Sequence, residues 1–372
     1  MQDVDDDFSA WFRLLETPGL GRAAARRLLA ACGSPSALLS TPSATLRELL
    51  GRPLADALRA VPPNFSARLA AAANWLQGGS DRCWLTLDHA AFPALLLQTA
   101  DPPLLLYAQG DLTCLSAPAV AVVGSRHPSA QGGDNAQAFA GDLARAGWVV
   151  VSGLAQGIDA AAHEGALAAG GLTVAVVGTG LDITYPTRHR ALAQRVAARG
   201  ALLSEYAPGT PPLREHFPQR NRLIAGLTRG TLVVEAALRS GSLITARLAN
   251  EAGREVWAVP GSIHAPQSRG CHALIKLGAT LVESAQDVLD DLQSPGLQQA
   301  ALPLQTMAGS AADTAPADPL LAALGEDPVT LDALLARTGE SAATLSARLL
   351  ELELGGEVAR LPGGLYQRRH RG

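Results

Sequence analysis

From Ala119 onward, short runs of β-branched and small apolar residues recur with helical spacing between them, and this alternation constrains the fold more than any other feature. The runs are AVAVVG from Ala119, WVVVS from Trp148, TVAVVG from Thr173, ALLSE from Ala201, TLVVE from Thr231, EVWAVP from Glu255 and ATLVE from Ala279. A continuous apolar run suits a strand buried on both faces, and strands separated by helices build βαβ units. The expected fold class is α/β: a Rossmann-like, doubly wound parallel sheet whose ligand crevice lies at the C-terminal strand ends.

The flanks read differently. Up to residue 83 the apolar spacing is helical at Phe8 to Leu15, Arg22 to Ala31 and Ser66 to Gln77, the pattern of an N-terminal helical domain of sterile-α-motif or helix-hairpin-helix type. Within it, TPGLGRAAARRLL places Gly19 and Gly21 where a helix-hairpin-helix turn would approach a phosphate. A ligand-free turn between packed helices fits those glycines equally well. The stretch from Trp84, WLTLDHAAFPALLLQTADPPLLLYAQGDL, reads as a proline-interrupted apolar lead-in to a sheet domain over residues 84–292. Residues 293–318 are rich in Gln, Ala, Pro, Ser and Gly and read as a linker.

Residues 319–372 describe a winged helix: helices at Pro319 to Leu324, Thr330 to Thr338 and Ser341 to Leu354, then a strand, a Pro-Gly-Gly turn and another strand. Ser341 is the expected N-cap of the third helix. That helix offers only Arg348 as a base and ends in Glu351 and Glu353, so a protein contact or a structural wing is favoured over duplex reading.

Charge decides where a polyanion would sit. The formal net charge is −4, which gives nucleic-acid binding no support, but residues 118–283 hold 15 basic against 11 acidic residues. The flanks hold 15 against 23, so the sheet domain is the positive part. Of the 30 basic residues only Lys276 is lysine, and arginine grips phosphate in a bidentate fork that lysine lacks. The four cysteines, Cys32, Cys83, Cys114 and Cys271, show neither metal-ligand spacing nor a disulfide framework. Reduced thiols in a cytoplasmic protein are expected, with no metal, no membrane span and no signal peptide.

The strand ends carry the candidate chemistry. Gly124, Ser125 and Arg126 close the first strand and should offer an anion backbone N–H groups, a hydroxyl and a guanidinium. This is not GxGxxG, so no dinucleotide cofactor is expected. The second strand runs into SGLAQGIDAAAH, where Ser152, Gly153 and Gly157 suit a phosphate-approaching loop before a helix. In that loop Asp159 suits a ribose contact or a cap, the cap being commoner, and His163 suits packing equally well. GTGLDITYP brings Gly178, Gly180, Asp182 and Tyr185 to the same edge. The densest feature, REHFPQRNRLIAGLTRG, sets Phe217 and Asn221 among Arg214, Arg220, Arg222 and Arg229. Cations track a nucleic-acid backbone and an aromatic face stacks an unpaired base, so this segment suits a single strand. Ser240, Gly241 and Ser242 form another anion nest at a helix start, beside Glu235 and Thr245.

Taken in order, GSR at Gly124, SGLAQGIDAAAH at Ser152, TGLDITYP at Thr179, FPQRNRLIAGL at Phe217, EAALRSGSLITA at Glu235 and VPGSI at Val259 resemble the DNA-processing protein A family, also called DprA or Smf. With the DPPLLLYAQGDL lead-in, the resemblance spans about half the chain. It implies a cytoplasmic homodimer, not an enzyme, that coats and protects incoming single-stranded DNA in natural transformation and helps load the RecA recombinase. Carried over by motif, Arg126, Phe217, Arg220, Asn221 and Arg222 would bind the strand. The sequence departs from the family at Cys271-His272, where many relatives carry Gly-x-Asn, which affects the detail of that loop.

Two other functions compete. Nucleotide-cleaving phosphoribohydrolases share such loops and use PGGxGTxxE, whereas here Glu235 precedes the glycine and no second Gly-Gly pair follows. A duplex-specific regulator would act through the winged helix, whose final segment is poor in base-reading side chains.

Overall fold

The computed structural model describes residues 6–293, 318–324 and 328–369. The expected linker lies outside the described residues, apart from its two end residues. Six helices come first: α1 (Asp6–Leu15), α2 (Arg22–Cys32), α3 (Pro35–Ser40), α4 (Ser43–Leu50), α5 (Arg52–Arg59) and α6 (Phe65–Gln77). Then follow β1 (Arg82–Thr86), α7 (Ala94–Leu97), β2 (Leu105–Gly110), β3 (Ala119–Val123), α8 (Ala130–Arg145), β4 (Val149–Ser152), α9 (Ile158–Ala168) and β5 (Thr173–Val176). The second half of the domain is α10 (Arg190–Arg199), β6 (Ala201–Ser204), α11 (His216–Gly226), β7 (Gly230–Val233), α12 (Ser242–Glu251), β8 (Glu255–Ala258), α13 (Arg269–Lys276), β9 (Thr280–Leu281) and α14 (Ala285–Gln293).

These strands form one sheet in the order β1-β2-β6-β5-β4-β3-β7-β8-β9. All seven expected strands are present and pair in parallel. The sheet is not parallel throughout: β2 runs antiparallel to β6, and β1 antiparallel to β2. The stretch from Trp84 therefore contains strands where the sequence suggested only a lead-in, because its prolines fall between β1 and β2 rather than inside them.

Residue parity assigns the faces. Ala119, Ala121 and Val123 of β3 pack with Leu223 and Ile224 of α11 and with Leu227 just after it, while Val120 and Val122 pack with Phe139 and Leu143 of α8. Every residue of β3 is buried, as a central parallel strand requires. The six N-terminal helices are continuous with this core. Phe8, Trp11 and Phe12 of α1 and Trp75 of α6 share a cluster with Trp84, Tyr107 and Val196. α1 and α2 are joined through Gly19, whose φ of +79° lies in the left-handed region.

The C-terminal unit comprises α15 (Pro319–Leu324), β10 (Val329–Thr330), α16 (Leu331–Thr338), α17 (Ala342–Leu354), β11 (Val358–Leu361) and β12 (Leu365–Arg368). It is the winged helix expected, and Ser341 caps α17 by accepting from the Thr344 amide at 3.2 Å. Arg348 pairs with Asp318 and Glu340 and so is engaged within the unit. The wing meets α8, where Arg369 Nε donates to Asp134 Oδ2 at 2.8 Å. Among the described residues no helix is long and apolar enough to cross a membrane, and all four cysteines are free thiols.

Candidate functional site

Strand order reverses between β3 and β7, which carry the helices that follow them to opposite faces of the sheet. A doubly wound sheet opens a crevice beyond the carboxyl ends at such a point. Here that crevice is a cleft of about 760 Å³, lined by the β3–α8 turn, the β7–α12 turn and the start of α11.

Two of the glycine turns expected to cradle phosphate spend several of their amides on neighbouring protein groups. Ser125 N–H donates to Glu235 O at 2.7 Å, and Ile158 N–H, at the start of α9, donates to Ser125 O at 3.0 Å. Ser125 Oγ accepts from His127 N–H. Glycine is required for this closeness. At Gly157, φ is +83° and a Cβ would run into Ser125 O; at Gly124 a Cβ would lie 2.8 Å from Glu235 O. Ser152 is fully buried and donates to Val122 O at 2.7 Å, and a Cβ on Gly153 would collide with the Arg220 guanidinium. Ser152, Gly153 and Gly157 therefore shape the walls and do not line the cleft. Gly124 and Ser125 line it, as does the β7–α12 turn: Ser240, Gly241 and Ser242 open α12, and a Cβ on Gly241 would meet open space.

Four arginines and one carboxylate line the cleft: Arg126, Arg214, Arg220, Arg239 and Asp159. Arg126, Arg214 and Arg239 are exposed, and none has a carboxylate within 4 Å among the described residues. Arg126 sits over the Phe217 ring, 5.7 Å from its centroid, and Tyr185 packs against the same ring at 5.4 Å. Arg220 is the floor. It is buried, donates from Nη1 to Val176 O, and has Asp159 at 3.9 Å, while its Nε has no partner. Burial pulls the Arg220 guanidinium below its usual range against the pull of Asp159, so the pair is under-compensated. Burial likewise raises the Asp159 carboxyl, against the attraction of Arg220.

Asp159 lines the cleft but is not the cap of its own helix. Its Oδ2 accepts from Gly153 N–H at 3.1 Å and Ala155 N–H at 3.3 Å, which holds Leu154 between them at φ +56°. His163 is a packing histidine: Nδ1 meets Thr173 Oγ1 at 2.7 Å, and Thr173 in turn donates to Val150 O, so Nδ1 carries the proton. Burial drops its pKa to about 3.

Helical phase sorts the basic segment. Phe217, Arg220, Asn221 and Ile224 follow i, i+3, i+4, i+7 and share the cleft face of α11. Arg222 lies about 140° around the helix from Phe217 at 3.6 residues per turn. It points away from the cleft, bound to Glu205 and 3.3 Å from Asp101. Arg222 is thus separated from its expected partners, whereas Arg239 joins the cleft unforeseen; its place beside the Ser-Gly-Ser nest was the available signal. Glu235 is also turned away. Its carboxylate accepts from Ser129 N–H at 2.9 Å and Ser129 Oγ at 2.5 Å, at the N-terminus of α8.

Fold and cleft together define a Rossmann-like protein with an electropositive switch-point crevice and a winged helix attached. Residues 83–293 match the family model described as DNA recombination-mediator protein A, and residues 305–364 match that of the DprA winged helix domain. Protein Smf of Escherichia coli K12 is 41% identical over 314 residues, which is 78% of this chain and 80% of that protein. The crystal structure of DNA processing protein A from Streptococcus pneumoniae superposes with a TM-score of 0.67 at 38% identity, covering 76% of this chain and 97% of that one. DNA processing protein A from Helicobacter pylori, in a structure concerned with its single-stranded DNA binding mode, gives 0.52 at 32% identity over 56% and 95%. The chain belongs to the DNA recombination-mediator protein A family, DprA or Smf.

Proposed function

We propose that the switch-point cleft binds single-stranded DNA, and that the chain protects incoming strands and helps load RecA in transformation and recombination. One observation carries this reading. A buried, under-satisfied guanidinium shares the cleft with a ring pair, Tyr185 exposed and Phe217 half-buried, so the same cleft offers a phosphate site and a base platform. An anion on Arg220 supplies the charge that Asp159 alone does not. The face of Phe217 or Tyr185 stacks only a base that is free of a duplex. At about 760 Å³ the cleft is the size of a drug-like site, enough for about one or two nucleotides of a longer strand.

The residues assigned to the strand are Arg126, Phe217, Arg220, Asn221 and the Ser240–Ser242 turn, with Gly124 and Ser125 holding Arg126 in place. Tyr185, Arg214 and Arg239 extend that set. We assign Arg222 to the fold. The division of labour is a helical part over 1–83, a strand-binding part over 84–292 and a winged helix over 319–372.

A cytoplasmic homodimer is the form we propose. Its support is the β9 edge of the sheet, where Leu277 is 85% exposed and Leu281 47% exposed. Sedimentation of Leu281→Glu as a monomer would bear this out, and an unchanged dimer would count against it. We assign no catalytic activity, because Glu235, the acid of the phosphoribohydrolase reading, is bound to Ser129 outside the cleft lining. Release of free base from nucleoside monophosphates by the folded protein would overturn that. The decisive test is anisotropy of labelled single-stranded and duplex oligonucleotides of one length across a salt series. The single strand is expected to bind more tightly; equal affinities would refute the assignment.

A further inference from the structure

A second cleft, of about 790 Å³, opens on the other side of the α11 N-terminus, between the sheet and the N-terminal helices. Its charges are spent. Arg68 pairs with Glu16, Arg22 lies 2.8 Å from Asp101 and 3.7 Å from Glu205, Arg26 lies 2.7 Å from Asp101, and Arg222 pairs with Glu205. With each arginine already matched, this cleft offers little to a phosphate. It offers rings instead: Tyr206 and His216 both line it and are stacked at 3.8 Å with 16° between their planes.

The two clefts share a wall. His216 Nδ1 bonds Gly178 O at 3.1 Å, and a Cβ on Gly178 would lie 3.3 Å from Phe217 Cδ1 and 3.4 Å from His216 Cβ. Adjacent residues of one helix thus put one ring into each cleft across a single glycine. The concentration is notable against the composition. Nine of the chain's 15 aromatic side chains are buried, and Tyr185, Tyr206 and Phe217 are three of the remaining six.

We propose that a bound single strand continues past the first cleft, over the start of α11, and stacks a base on the Tyr206–His216 pair in the second, so that the helical part takes a share of the strand. This rests on the single-strand reading of the first cleft. The second cleft then adds stacking without adding phosphate neutralisation.

The test is a length series of labelled oligothymidylates with the full chain, Tyr206→Ala, Tyr206→Phe and Arg126→Ala. Tyr206→Ala should match the parent on oligonucleotides short enough to fill only the first cleft. It should lose about 5- to 150-fold on longer ones, the stacking of one base, with an unchanged salt slope. Tyr206→Phe keeps the ring and should restore the long-oligonucleotide affinity. Arg126→Ala should weaken every length. Equal loss at all lengths in Tyr206→Ala, or no loss at any, overturns the second platform while leaving the first cleft intact. Failure of the parent chain to bind any single strand would refute the underlying reading itself.

Discussion

Replacing Arg126 by alanine isolates the phosphate contact from the fold. The side chain is exposed, makes no ion pair among the described residues, and lies over the Phe217 ring. Its removal should leave stability within about 0.5 kcal/mol. A charge-assisted bond to a phosphate contributes about 1.5–3 kcal/mol, which is about a 10- to 150-fold loss of affinity. If Arg126, Arg214, Arg220 and Arg239 each neutralise one phosphate, log K should fall with log salt at a slope of about −3, at about −0.7 per phosphate for a single strand. Arg126→Ala should flatten it to about −2. Anisotropy of one labelled oligonucleotide between about 50 and about 200 mM salt reads both quantities. Weaker binding at an unchanged slope would mean that Arg126 contacts no phosphate, and unchanged binding would remove it from the site. Arg220→Glu is a poorer probe, because it sets a second carboxylate beside buried Asp159 and confounds binding with unfolding.

Three further outcomes follow from the same geometry. Arg222→Ala leaves the nearly buried Glu205 with Arg22 at 3.7 Å, so denaturant melts should show a loss of about 1–3 kcal/mol, while the salt slope of binding stays at its parent value. Gly157→Ala must hold a side chain at φ +83° against the Ser125 carbonyl; a cost of about 2 kcal/mol or more and weaker strand binding are expected from melting and anisotropy together. His163 is buried neutral, so the unfolded chain binds the extra proton, and stability from this group is full above about pH 6.5 and is lost as pH falls toward 3. Between pH 7 and pH 5 the loss should be about 2 kcal/mol, read as the difference between parent and His163→Gln melts. Parallel pH profiles in the two proteins would refute it.

The sheet was legible because its central strands are buried on both faces, so composition alone marks them. The β1–β2 edge was not. Pro93, Pro102 and Pro103 interrupt the run as a chain reads it, and only the pairing of β2 with β6 shows that they fall between strands. Likewise the glycines of the first two turns were visible, but the close approach they permit is between protein loops. Sequence pattern identifies a glycine that needs its freedom; it does not say whether backbone or ligand fills the space.

The basic segment carries the more general lesson about the site. Arg220 and Arg222 are two residues apart and look equivalent as charges. On a helix, two residues are about 200° of rotation, so they cannot share a face. Once Phe217 is taken as the base platform, residues 220, 221 and 224 fall on its side, and Arg222 is directed to Glu205 and Asp101. That step needs only a helix assignment, and Arg222, Leu223, Gly226 and Leu227 fall on one face at helical spacing. What needed the structure was burial. Arg220 is under the cleft rather than on its rim, and it is Arg126, Arg214 and Arg239, from three separate loops, that remain exposed for a backbone to find. A positive segment of sequence therefore becomes a phosphate track only after helix phase removes one arginine and burial lowers another to the floor, and the net charge of the whole chain reports neither step.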